Sequence, residues 1–179
     1  YPVIPATPVH RYLSYWLEAW GDEWWVPMAM YTRWAHKENY ELFRCDAGGS
    51  LLPFFPKFVQ DFAAARPAYM MRTLLPDVGV KPQQYEAMDL FMERMLDALD
   101  AHFAKHLFLL GGRPTLGDFG LVGTMYGHLG RDPWPKRELI EPRVHLAAWL
   151  ERMKNAADFA NRELLPNDGI PDSLNPVFQ

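Results

Sequence analysis

The chain has 179 residues, 49% of them hydrophobic and 22% charged, the balance of a folded globular domain rather than a disordered one. A net charge of −4 offers no basic surface for nucleic acid or anionic lipid. The single cysteine, Cys45, excludes an internal disulfide framework and fits a reducing, cytoplasmic setting; no apolar run approaches the ~18 residues of a membrane span.

Pro2, Pro5 and Pro8 make residues 1–7 an extended arm or linker. No signal-peptide pattern follows Tyr1, and the chain is expected to be a piece of something longer. Thr7 stands as N-cap and Pro8 as first residue of a helix whose core stripe is Val9, Tyr12, Leu13, Trp16, Leu17 and Trp20. Gly21 and Pro27 then interrupt a helical pattern that resumes through Trp24, Met28, Tyr31 and Trp34. Pro27 cannot donate to the carbonyl of Glu23, so a kink or break is predicted near 21–26.

Residues 45–56 hold Gly48, Gly49, Pro53 and Pro56 and read as a breaker. Short extra helices are expected at Phe54–Ala65 and Pro67–Leu75, then a loop from Asp77 to Pro82. A long helix from Gln83 to Leu107 carries Tyr85, Met88, Met92, Met95, Leu96, Leu99 and Phe103 on one face. A second, Leu116–Leu129, is ended by Arg131-Asp132-Pro133-Trp134-Pro135. A further helix opens at Glu141-Pro142 with Val144, Ala147, Ala148 and Met153 inward and Trp149 and Leu150 beside them. No strand pattern and no repeat is present, so the chain is read as all-α. Its helical domain spans 8–165, and 166–179 forms a C-terminal extension that ends as if truncated.

Thr115 and Asp118 have the spacing of a capping box: the hydroxyl accepts from the N–H of Asp118 and the carboxylate from that of Thr115. The helix behind it carries Gly117, Gly120, Gly123, Gly127 and Gly130, each about 1 kcal/mol worse than Ala for helix formation. Close packing against neighbouring helices accounts for such a run, and room for a ligand is the alternative. Trp24, Trp25, Met28, Tyr31 and Trp34 form a band too wide for one buried stripe, because Trp24 and Trp25 point about 100° apart. One of those two indoles must face a cleft, another domain or solvent.

Other chemistry is thin. His102 and His106 at i, i+4 lack a third ligand, so no metal site is read. Asp22 and Glu23 point apart, which favours solvated or capping roles. Cys45 sits beside Asp46 rather than a cation, which argues against a thiolate nucleophile. No P-loop, dinucleotide, G-x-S-x-G or H-E-x-x-H pattern occurs, and no catalytic residue is assigned.

The string Leu109–Leu121, L-x-G-x-R-P-T-L-x-D-F-x-L, resembles the signature of the glutathione S-transferase C-terminal domain, where this box nucleates the central buried helix. Asp22-Glu23-Trp24, Arg33-Trp34, Arg131-Asp132-Pro133 and Trp149–Met153 resemble landmarks of a bacterial group of such proteins. Ile170-Pro171-Asp172-Ser173-Leu174 resembles their segment leading into further helix. The resemblance implies a GST C-terminal-domain-like helical bundle with extra helices around 50–80. It further implies an N-terminal thioredoxin-like domain, which this sequence does not contain, holding glutathione as co-substrate and supplying the thiol-activating residue. This half would wall the site for a small apolar electrophile, with Trp24, Trp25, Met28 and Tyr31 as candidates and Met125 and Tyr126 as secondary ones. Thr115 and Asp118 carry over as the structural box. A homodimer is among the expected assemblies. The alternative is a non-catalytic protein-interaction module of the same fold.

Overall fold

In the computed structural model, which describes residues 2–179, the first helix is capped from the far end of the chain. Helix α1 (Pro8–Ala19) has Thr7 and Pro8 where the sequence puts them, but Thr7 makes no cap bond to its own helix. Its hydroxyl instead donates to Asp168 Oδ1 at 2.6 Å, and the same carboxylate accepts from the N–H of Val9 at 2.7 Å and of His10 at 2.8 Å. The buried face of α1 is His10, Leu13, Ser14 and Leu17, so the expected stripe is rotated and Val9 and Tyr12 are exposed. Ser14 lies inward because the partner helix passes very close, with room for small side chains only.

The predicted break is a π turn at Trp20–Trp24, followed by α2 (Val26–Ala35) with Pro27 in its first turn. In this turn the carbonyl of Gly21 accepts from the Thr124 hydroxyl at 3.0 Å. Two expectations fail in the next stretch. Helix α3 (Lys37–Leu51) runs through the Gly48-Gly49 breaker, and α4 (Lys57–Thr73) is one helix through Pro67 rather than two. Gly48 is there for proximity: a Cβ on it would lie 2.6 Å from the carbonyl oxygen of Gln60 on α4. Ala64 and Ala68 fill the rest of that close seam, so α3–α4 packing outweighs the bond lost at Pro67.

Helix α5 (Tyr85–Phe103) buries Met88, Met92, Met95, Leu96 and Leu99 as expected, and ends at Phe103 rather than Leu107. Helix α6 (Leu116–Thr124) runs on as a π turn, Met125–Leu129. A single turn, α7 (Pro133–Pro135), leads through another π turn to α8 (Val144–Lys154). The inner face of α8 is Leu146, Trp149, Leu150 and Met153, while Val144 and Ala148 are exposed. Asp100 of α5 fixes this rotation by accepting from the N–H groups of His145 and Leu146 at 2.8 and 2.9 Å, and Arg143 is held by Glu93 and Asp97.

The last residues fold back as short 3-10 turns. Leu174 and Val177 complete the core beside α5, and the Phe178 ring lies 5.1 Å from that of Trp16. The architecture is all-α, with no strand among the described residues, and no described helix is long and apolar enough to cross a membrane.

Candidate functional site

Asp118 is fully buried and does more than cap α6. The box is formed, and Oδ2 accepts from the N–H of Thr115 at 2.9 Å and its hydroxyl at 3.1 Å. Oδ1 accepts from the N–H of Leu109 at 2.9 Å and from Trp149 Nε1 at 3.2 Å. One carboxylate thereby joins the strand-like residues before the Gly111-Gly112 turn, the start of α6 and the middle of α8. Burial pushes its pKa up to about 6, against four donors that pull it down. It faces no cavity, and its role is structural.

The glycines between 117 and 130 do not all follow the close-packing reading. Added Cβ atoms at Gly117 and Gly120 would lie 2.7 Å from Leu17 Cβ and Glu18 Cα, and at Gly130 2.9 Å from the Met125 carbonyl oxygen. These are close-packing glycines, and so is Gly21, which meets the backbone of Leu121. Gly123 and Gly127 face open space.

The aromatic band divides as well. At the end of the π turn Trp24 is 66% exposed and Trp25 is 0% exposed, so the two neighbouring indoles diverge as their angular separation requires. Trp25 packs edge-on to Trp20, with ring centroids 5.7 Å apart, and 5.6 Å from Phe91. Tyr31 is buried 4.5 Å from the Tyr85 ring, where burial and the neighbouring Asp89 hold its phenol well above the usual range. Met125 is fully buried and Met28 packs partly buried against the core. Of the first-helix candidates only Trp24 therefore reaches an open cleft. Tyr126 borders a different cavity, about 890 Å³, whose rim carries Arg131, Lys136, Glu141, Glu151 and Lys154. Lys154 Nζ stands 5.3 Å from the Tyr126 ring centroid there.

The cleft that Trp24 joins measures about 640 Å³ and lies between α1 with its π turn, α5 and the C-terminal segment. Its walls are Trp16, Trp20, Trp24, Phe91, Met95 and Phe178, and Arg94 is its one cationic side chain. Rings make most of this wall, and the cleft opens to solvent at Trp24. Of these wall residues the sequence reading put forward only Trp24 as lining. Trp16 and Trp20 were assigned wholly to the core. Phe91 adjoins the Met stripe of α5, which was the available signal for it. Phe178 had no local signal, because only the fold-back of the chain brings it to Trp16.

Elsewhere, His102 is buried with both ring nitrogens engaged: Nδ1 with Ser173 Oγ at 2.8 Å and Nε2 with the carbonyl oxygen of Phe108 at 3.3 Å. A carbonyl only accepts, so Nε2 carries the proton and Nδ1 takes the Ser173 hydroxyl. Burial lowers the His102 pKa to about 4. His106 stacks on it at 4.9 Å, and no cluster of three metal-ligating side chains occurs among the described residues. Cys45 meets a cation after all, Lys57 Nζ at 3.5 Å, because α4 returns alongside α3; Asp46 turns away to pair with Arg131. Asp22 and Glu23 are exposed on the π turn.

The helical domain is thus organised on a buried Thr-Asp box, with an aromatic cleft beside its first and longest helices. Residues 82–152 match the family described as glutathione S-transferase, C-terminal domain, and over that stretch the chain carries a domain of this kind. The match runs from the start of α5 into α8 and includes the box; α1–α4 lie outside it. No curated protein and no solved structure matches the chain.

Proposed function

We propose that this chain is the domain of a glutathione S-transferase-like protein that binds the apolar co-substrate, acting when joined to a thioredoxin-like domain that holds glutathione. The observation that carries this reading is the cleft of about 640 Å³ walled by Trp16, Trp20, Trp24, Phe91 and Phe178, in a chain whose residues 82–152 match the family. Glutathione itself does not fit here. It carries two carboxylates and an ammonium group, whereas the cleft offers one guanidinium, Arg94, and one amide, Gln179, among rings and apolar side chains. The residues of this chain would orient an apolar electrophile by stacking and keep water from it. A cytoplasmic setting, where thiols stay reduced, suits that chemistry.

The test is turnover of glutathione with an apolar aryl electrophile by a protein that unites this chain with its glutathione-binding domain. Trp24→Ala is expected to raise KM for the electrophile with little change in KM for glutathione. Equal loss for both substrates, or no turnover by the intact protein, would remove the transferase reading.

A second reading, a non-catalytic interaction module, is favoured by one specific feature: the aromatic side chains on α4 point away from their own domain.

A further inference from the structure

Arg94 is a cation without a counter-charge on a helix rich in acids. At about 100° per residue, Glu86, Asp89, Glu93, Asp97 and Asp100 gather within about 80° of arc on α5, and the middle of that arc lies about 100° from Arg94. Several of these acids are engaged elsewhere. Glu93 and Asp97 hold Arg143, Asp100 accepts from the N–H groups of His145 and Leu146, and Asp89 neighbours the Tyr31 phenol. Three and four residues from Arg94, where a carboxylate would neutralise it, stand Leu90, Phe91 and Ala98, with Asp97 taken by Arg143. Among the described residues the Arg94 guanidinium has no ion pair and no hydrogen bond. Ala87, Leu90 and Phe91 share its side of the helix, and all four line the aromatic cleft.

From these observations we infer that Arg94 recognises a carboxylate, and that the molecule taken by the cleft is an aromatic acid: a flat ring system bearing one anionic group. The inference rests on the co-substrate reading of the cleft and names the chemical class of that co-substrate. The planar fork of a guanidinium matches a carboxylate bidentately. No other charged side chain lines the cleft, so a single acid is matched and a second would stay unpaired. Arg94 is exposed at the rim, where the acid keeps part of its hydration while the neighbouring rings lower the local polarity and strengthen the pair. The ring system then lies inward against Trp16, Trp20 and Phe91. The carboxylate is a handle that sets the orientation of the ring, and it takes no part in bond making.

The test compares naphthalene-2-carboxylate with naphthalene-2-carboxamide, which is neutral and of nearly the same shape, each titrated into this chain by calorimetry at pH 7. Wild type is expected to bind the carboxylate about tenfold more tightly than the amide. Arg94→Met keeps an apolar stem, and should abolish that preference while leaving amide affinity within about twofold. Arg94→Lys should retain part of the preference. Because Arg94 is exposed, both variants should melt at the wild-type temperature. Equal binding of the two ligands by wild type would overturn the inference, and so would a preference that survives Arg94→Met. If the surviving preference disappears with Tyr126→Ala, the acid sits instead in the cavity rimmed by Arg131, Lys136 and Lys154. In each of these cases amide binding that is lost with Trp24→Ala leaves the cleft itself standing. Failure of both ligands to bind would remove the co-substrate reading and the inference together.

Discussion

Asp118 and His102 are both buried and titratable, and they pull the stability of the domain in opposite directions as pH changes. The folded-state pKa of Asp118 is about 6, above its ordinary 3.8, so between those values the folded chain holds a proton that the unfolded chain has lost. Its contribution is therefore greatest at low pH and is lost as pH rises through about 6. His102 is the reverse. Its folded-state pKa of about 4 lies below 6.5, so acidification through that window protonates the unfolded chain first and removes stability. Each effect amounts to about 3 kcal/mol, and in the wild type they largely cancel between pH 4 and 6.5. Urea denaturation at pH 7 and pH 5 separates them. On acidification His102→Gln should lose less stability than wild type, and Asp118→Asn should lose more. At constant pH 7, Asp118→Ala leaves four donors unpaired, and its loss should be about 3–5 kcal/mol, against about 1–2 kcal/mol for Thr115→Ala. The box was legible in the sequence because its two members are three residues apart. Its bonds to Leu109 and Trp149 were not, because they depend on which face α8 turns inward.

At the scale of elements, glycine position separates packing from open space. Gly120→Ala drives a Cβ to 2.7 Å from the backbone of Glu18 and should lower stability by about 2 kcal/mol or more, as α1 is forced from α6. Gly123→Ala, three residues on in the same helix, meets nothing within 4 Å and should raise stability by about 0.5–1 kcal/mol. Melting curves of the two variants check both. Helices α1 and α5 were readable from sequence by their periodicity and α6 by its capping box, because these patterns are local. Helices α3 and α4 were misread for one reason: Gly48-Gly49 and Pro67 are breakers by propensity, and tertiary contact overrides propensity where two helices approach closely. The same close approach brings Lys57 to Cys45, a neighbour that no sequence window could reveal.

Across the whole molecule, the C-terminal segment closes the fold. Asp168 caps α1, Ser173 donates to His102 Nδ1, Leu174 and Val177 fill the core beside α5, and Phe178 lines the cleft with Trp16. Asp168→Ala should accordingly lower the melting temperature and also weaken ligand binding in the cleft, although Asp168 does not line it. None of these contacts had a sequence signal, since each joins residues far apart in the chain. The aromatic cleft is the central claim, and ligand binding by this chain is its most direct measurement. Titration with a small naphthalene-based fluorescent ligand, followed through the tryptophans, should give one site. Trp24→Ala should weaken it about tenfold, Trp24→Phe should largely restore it, and Tyr126→Ala should leave it unchanged. Binding that survives Trp24→Ala and is lost with Tyr126→Ala would place the ligand in the other cavity and contradict the account.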